Sequence, residues 1–101
     1  MDSITDYRNK NILAPMVRCG TLAFRLLALE CGADIVFSEE IIDYKMINVK
    51  RIKNDLFNTI DYYVAGTKKP VFQTCEKERG KVVFQLGTCD PKRALEVCKI
   101  V

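Results

Sequence analysis

Residues 11–40, NILAPMVRCGTLAFRLLALECGADIVFSEE, decide the fold. Ile12-Leu13-Ala14 is a short apolar run that stops at Pro15, whose ring nitrogen has no hydrogen for a strand ladder. The chain therefore leaves a sheet at Pro15-Met16-Val17. After Gly20 the period changes: Leu22, Leu26 and Leu29 recur at i, i+4 and i+7 with Ala23 and Leu27 beside them, the apolar stripe of a helix lying on a sheet. Thr21 is the expected N-cap and Gly32 the expected left-handed residue at the far end. Ile35-Val36-Phe37 then reads as a second buried strand with a polar end, Ser38-Glu39-Glu40. Strand, helix and strand in this length make a right-handed parallel crossover. In such units the working residues gather just past the carboxyl ends of the strands. That sets Pro15-Met16-Val17 and Glu39-Glu40 side by side at one mouth.

The composition bounds what such a unit can belong to. The 101 residues make one domain at most, spanning 1–101, and 49% hydrophobic with 29% charged residues is ordinary for a globular chain. A formal charge of +3 permits a polyanionic partner without requiring one. No apolar run approaches the roughly eighteen residues of a membrane span, and the start, MDSITDYRNKN, is polar and has no signal-peptide core. The expectation is a soluble intracellular protein away from membranes. Five cysteines without a CxxC spacing, in a chain with no histidine, argue against a metal site. Their odd number and the missing secretory signal point to reduced thiols used as small apolar residues. With no histidine, a Ser/His or Cys/His nucleophilic pair cannot be built from this chain.

Beyond Glu40, Ile42, Met46 and Val49 fall at fair helical spacing, which predicts a short helix or turns over 41–53. Four cations, Lys45, Lys50, Arg51 and Lys53, lie between Tyr44 and Asn54 with no acid among them. They form either a solvated face or a phosphate-contacting patch. Residues 55–69 have mixed periodicity and read as a loop. Val71-Phe72-Gln73-Thr74-Cys75 and Val82-Val83-Phe84-Gln85-Leu86 are expected to pair as a hairpin across residues 76–81. Gln85 is the one amide in its run and needs a partner, backbone or ligand, because a buried amide left unpaired costs about 1 to 3 kcal/mol. Asp90-Pro91 opens a last helix with Ala94, Val97, Cys98 and Val101 on one face. This order is the start of an α/β fold with a parallel sheet. Three strands with two covering helices would leave a raw parallel edge, so the chain reads as the N-terminal part of something larger rather than as a small open domain.

Leu13-Ala14-Pro15-Met16-Val17-Arg18, the following GTLAFRLLALECGADIVFSEEIID, Lys45-Met46-Ile47, Phe72-Gln73-Thr74-Cys75-Glu76 and Val82-Val83-Phe84-Gln85-Leu86-Gly87 together resemble the start of a tRNA-dihydrouridine synthase of the eukaryotic cytoplasmic D-loop type. The resemblance runs from Ile12 to Val101. It implies the first three strands or so of a (β/α)8 TIM barrel, an FMN-binding mouth, NADPH as reductant, and reduction of the C5=C6 bond of a uridine in tRNA. By the same resemblance Pro15, Met16 and Val17 lie against the flavin, Gln85 reads its pyrimidine edge, and Glu40 serves the cofactor or the uracil, with Glu39 beside it as a structural partner. Arg18 and the Lys45–Lys53 cluster are placed to help hold tRNA phosphates. The family's proton donor is a cysteine in a Gly-Cys-Pro motif that does not occur in this sequence. None of the five cysteines is assigned that role, and the resemblance puts it beyond Val101. Two alternatives stand beside this reading: an inactive fragment or partner-binding piece, and another FMN-dependent barrel oxidoreductase.

Overall fold

The computed structural model describes residues 6–101; residues 1–5, the head of the polar N-terminal stretch, lie outside them. The chain divides into two compact units, one running up to Glu40 and resuming over Cys75–Gln85, the other made of Ile41–Thr74 and Leu86–Val101.

The first unit is the parallel crossover. Strands β1 (Ile12–Leu13) and β2 (Ile35–Phe37) run parallel, with Ile12 opposite Ile35 and Leu13 opposite Val36. Between them lies helix α1 (Leu22–Glu30). The Thr21 hydroxyl caps α1 by accepting from the Phe24 N–H at 3.3 Å. At the other end Gly32 has φ +108, and the N–H groups of Gly32 and Ala33 reach the carbonyls of Leu29 and Ala28. Both ends thus satisfy backbone groups that a helix cannot pair internally. The Asp34 carboxylate accepts from the Asn11 N–H while the Asn11 carbonyl accepts from Asp34 and Ile35, which fixes the register before the strands begin. Strand β7 (Val82–Val83) adds to the other side of β2, again parallel, so the order is β1-β2-β7 with Val36 fully buried at its centre.

The helix does not bury the stripe its leucines suggested. Leu22 is buried, Leu26 and Leu29 are half-buried, and Leu27 and Phe24 are exposed. The fully buried long side chain is Arg25. Its guanidinium makes a two-pronged ion pair with Glu78, Nε to Oε2 at 2.9 Å and Nη2 to Oε1 at 2.8 Å.

The second unit begins with a two-residue parallel pair, β3 (Ile41–Ile42) with β8 (Leu86–Gly87). It continues through the one-turn helix α2 (Asp43–Met46) into an antiparallel sheet ordered β4 (Val49–Asn54), β5 (Thr59–Val64), β6 (Phe72–Thr74). Helix α3 (Pro91–Ile100) closes the chain, capped by the Asp90 carboxylate on the Lys92 N–H with Pro91 at its first position. Ile41, Met46, Tyr62, Phe72 and Val97 are its buried apolar residues, with Tyr62 directly opposite Phe72 and their rings 5.8 Å apart. Asp43 accepts from the Thr88 hydroxyl at 2.7 Å and from Arg93 Nε at 2.9 Å, while the Arg93 guanidinium stands 4.2 Å over the Tyr44 ring. The Thr88 hydrogen bond does most to hold the Asp43 carboxyl below its ordinary range, with Arg93 adding to it.

Several expectations need correcting. The run over 82–86 does not form a hairpin with 71–75: β6 pairs antiparallel with β5, and β7 pairs parallel with β2. The intervening residues form a single 3-10 turn, Glu76–Glu78. The loop expected over 55–69 contains strand β5, and the helix expected over 41–53 is confined to four residues before the chain becomes β4. An edge strand with cations at successive positions has no apolar face to betray its period of two, which is why β4 read as helical. The cysteines are free thiols, but only Cys75 is half-buried; the other four are exposed and are not core residues. Among the described residues the strands form three separate sheets and no closed barrel. No described helix is long and apolar enough to cross a membrane.

Candidate functional site

All five residues singled out in the sequence belong to the first unit and follow the carboxyl ends of its three parallel strands. Pro15, Met16 and Val17 come after β1, Glu40 after β2 and Gln85 after β7. The strand order puts β2 in the middle, so its exit is flanked by the other two.

After β1 the chain turns over residues 16–19, with the Cys19 N–H on the Met16 carbonyl at 3.3 Å. Arg18 is held at φ +64, a left-handed backbone that a side chain with a Cβ adopts only when its surroundings insist. What insists is Glu39, whose carboxylate accepts from the Arg18 N–H at 2.8 Å. The turn leaves Pro15, Met16 and Val17 exposed, Val17 to 80%. Met16 and Val17 are thus adjacent exposed apolar side chains on this turn.

Gly20 is the joint behind this turn. A methyl built on it would overlap the Glu39 nitrogen and lie 2.9 Å from the Ser38 carbonyl carbon, so the two backbones meet closer than any other residue permits. The Gly20 carbonyl accepts from Arg25 Nη1 at 2.6 Å. The buried Arg25–Glu78 pair therefore fixes the helix, the 3-10 turn and the turn after β1 to one another.

Ser38 ends the ladder between β2 and β7. Its hydroxyl accepts the Gln85 N–H at 3.0 Å and donates to the Glu39 carbonyl at 2.9 Å, replacing a strand carbonyl where the chain has begun to diverge. The Gln85 backbone is thereby anchored, while its half-buried side-chain amide has no hydrogen-bond partner among the described residues. The exposed Glu40 carboxylate also has none among them. Arg25, Glu78, Gly20 and Ser38 were not read from the sequence as parts of this site. Only Gly20 carried a signal, as a glycine just after a turn; the Arg25–Glu78 contact joins positions 53 apart and leaves no local trace.

Chemically, this edge offers an amide with one donor and one acceptor group, a carboxylate acceptor and exposed main chain, next to the apolar cover of Met16 and Val17. It suits a flat heteroaromatic ring with polar edges. Among the described residues no group of three or more His, Cys, Asp or Glu is placed to hold a metal ion.

No family model matches the chain. Two curated relatives do. The chain is 41% identical over 101 aligned residues to the NAD(P)+ tRNA-dihydrouridine(20) synthase of Schizosaccharomyces pombe, covering 97% of this chain and 21% of that protein. It is 44% identical over 96 residues to the enzyme of the same name from Saccharomyces cerevisiae, covering 89% of this chain and 25% of that protein. The chain thus spans about a fifth to a quarter of the length of the curated relatives it matches.

Proposed function

This chain is related over nearly its whole length to tRNA-dihydrouridine synthases, and from that premise we propose that it supplies the opening strands and the first half of the cofactor mouth of such an enzyme. The proposed reaction is reduction of the C5=C6 bond of a uridine in tRNA, with FMN as cofactor and NADPH as reductant, in a TIM barrel working in the cytoplasm. The observation that carries the reading is the common edge: Pro15, Met16, Val17, Glu40 and Gln85 all follow the carboxyl ends of neighbouring parallel strands. Ligands collect at that edge in β/α folds.

The residues fit a flavin. The unpartnered Gln85 amide offers a donor and an acceptor in complement to the pyrimidine edge of an isoalloxazine. The Met16 and Val17 N–H groups are offered to a ring edge, the Met16 carbonyl being taken by Cys19, and the apolar side chains exclude water from the ring. The Glu40 carboxylate accepts an N–H from the cofactor or the uracil. When bound, FMN supplies the hydride that reduces the base. Ser38 sets where Gln85 begins, Glu39 holds the turn that carries Met16 and Val17, and Gly20 lets the two meet. The proton for the second carbon is assigned to none of the chain's five cysteines.

Replacing Gln85 by Ala in the full-length protein tests the reading. FMN affinity, measured by flavin fluorescence, is expected to fall about tenfold with the unfolding midpoint unchanged, the loss of one or two hydrogen bonds. Wild-type affinity in that variant would overturn the assignment of Gln85.

A further inference from the structure

We propose that the β4–β5 hairpin is an RNA-contacting arm, in which Lys50 and Lys53 seat phosphates and Phe57, at the tip, stacks on an unpaired base. The inference rests on the reading of tRNA as substrate and adds to it a surface far in character from the parallel-strand edge.

The hairpin has two unusual features, and each is incomplete without the other. The first is charge. β4 is the outer strand of its sheet, and Lys50, Arg51 and Lys53 are all exposed on it. Arg51 is partly engaged, its Nε donating to the Tyr62 hydroxyl at 3.3 Å, which leaves Lys50 and Lys53, on opposite faces of the edge strand, as the freer charges. Two carboxylates lie near: Asp61 is buried and accepts from Thr59 Oγ1 at 2.7 Å and Asn54 Nδ2 at 3.1 Å, and Asp55 is exposed at the tip; neither forms an ion pair with a lysine among the described residues. The second feature is the tip. Asn54 Oδ1 accepts from the N–H groups of both Leu56 and Phe57, at 3.0 and 3.2 Å, and Asn58 takes φ +55 to return the chain. That is a built turn, and it presents Leu56 at 84% and Phe57 at 67% exposure.

Lysines on an edge strand are a common guard against sheets joining edge to edge. Such a guard gives no reason for an aromatic ring held out on a fixed turn a few residues away. An apolar pocket on a protein would take Leu56 and Phe57 but has no need of three exposed cations along the adjoining strand, set against the single exposed carboxylate of Asp55. Looped or single-stranded RNA answers both features, with phosphates for the lysines and a base face for the ring.

The test is binding of an unmodified tRNA transcript to the full-length protein across a salt series, for wild type, Lys50→Ala/Lys53→Ala, Phe57→Ala and Phe57→Tyr. The lysine pair is expected to lower the slope of log affinity against log salt by about 1 to 2, one phosphate contact for each lysine. Phe57→Ala is expected to weaken binding about tenfold at every salt concentration with the slope unchanged, and Phe57→Tyr to restore it. Variants that bind with wild-type affinity and slope, on a wild type that itself binds and reduces tRNA, would overturn the arm and leave the proposed function standing. A Phe57→Ala protein that melts lower yet binds tRNA normally would also overturn it, by showing that the tip packs on protein. A wild type that neither binds tRNA nor takes up FMN would overturn both.

Discussion

The parallel sheet β1-β2-β7 and the antiparallel sheet β4-β5-β6 each lie beside a buried carboxylate, and they satisfy it in opposite ways. Glu78 meets a full counter-charge, Arg25, brought from a helix 53 positions earlier, and the same guanidinium also holds the Gly20 carbonyl. Among the described residues Asp61 meets only neutral donors, Thr59 and Tyr63 on its own strand and Asn54 and Gln73 on the strands either side. In the first case charge links distant segments and positions the turn after β1. In the second it links neighbours already joined by backbone ladders. The ion pair fixes tertiary placement, while the carboxylate held by neutral donors stiffens one sheet.

The largest expected effect follows from the ion pair. Glu78→Ala leaves a guanidinium buried without its countercharge and is expected to cost about 3 to 5 kcal/mol, measured by chemical denaturation of the full-length protein. The joint change Arg25→Met with Glu78→Leu is expected to cost less than Glu78→Ala alone, since it removes both charges and fills the space. Hydrogen exchange locates the damage. Protection should fall at Ile35–Phe37 more than at Thr59–Val64, and an equal fall at both would break the division into two units.

Gly20→Ala is expected to come next, at about 1 to 3 kcal/mol, the range for inserting a methyl where nothing yields. The blocking atoms are backbone of Ser38 and Glu39, so relief requires the turn over 16–19 to move. The variant should therefore lose FMN affinity along with stability, whereas a comparable loss of stability placed in the antiparallel sheet should leave FMN affinity intact. Unchanged flavin binding in Gly20→Ala would show that this joint does not set the turn after β1 for the cofactor.

The same contrast explains what the sequence disclosed. In the first unit local chemistry announced itself. Pro15 ended a strand, Thr21 and Gly32 bounded a helix, and the apolar triplet Ile35-Val36-Phe37 formed the middle of a sheet. From these the carboxyl-edge positions of Pro15, Met16, Val17 and Glu40 followed; Gln85 did not, since its run was expected in a hairpin and its place in the site came from the family resemblance alone. The arginine at the heart of that unit did not, because a buried cation depends on a partner that no neighbouring residue reveals. In the second unit Asp90-Pro91 announced the last helix, but the signals over its antiparallel sheet misled. Lys50, Arg51 and Lys53 hid the alternation of an edge strand, and the aromatic and polar residues of 55–69 hid its partner, because β5 buries Thr59 and Asp61 beside Tyr62. Thr59-Ile60-Asp61-Tyr62 does alternate polar and apolar as a strand should, but for only four residues before Tyr63 and Val64 break the pattern, too short a run to stand out from the loop around it.

The smallest expected effect separates the two sheets by pH. Burial pushes the Asp61 carboxyl up, but the hydrogen bonds from Thr59, Asn54, Gln73 and Tyr63 outweigh it and hold the group below its ordinary 3.8. A carboxyl whose pKa is lower folded than unfolded adds stability above the unfolded value, and that stability drains away as pH falls through the folded one. The window therefore lies below about pH 4. Asp61→Asn keeps the shape but turns an amide donor toward other donors, and is expected to cost about 1 to 2 kcal/mol at neutral pH. The gap between wild type and variant should then narrow as pH falls below about 4, because the wild type forfeits what the variant never had. Asp43, also held low, shares the second unit and titrates in both proteins, so it cancels in the difference. The readout is amide protection across Thr59–Val64 from pH 6 to pH 3. A gap that stays constant over that range would mean that Asp61 acts by shape alone, and the contrast between a paired and an unpaired buried carboxylate would lose its electrostatic basis.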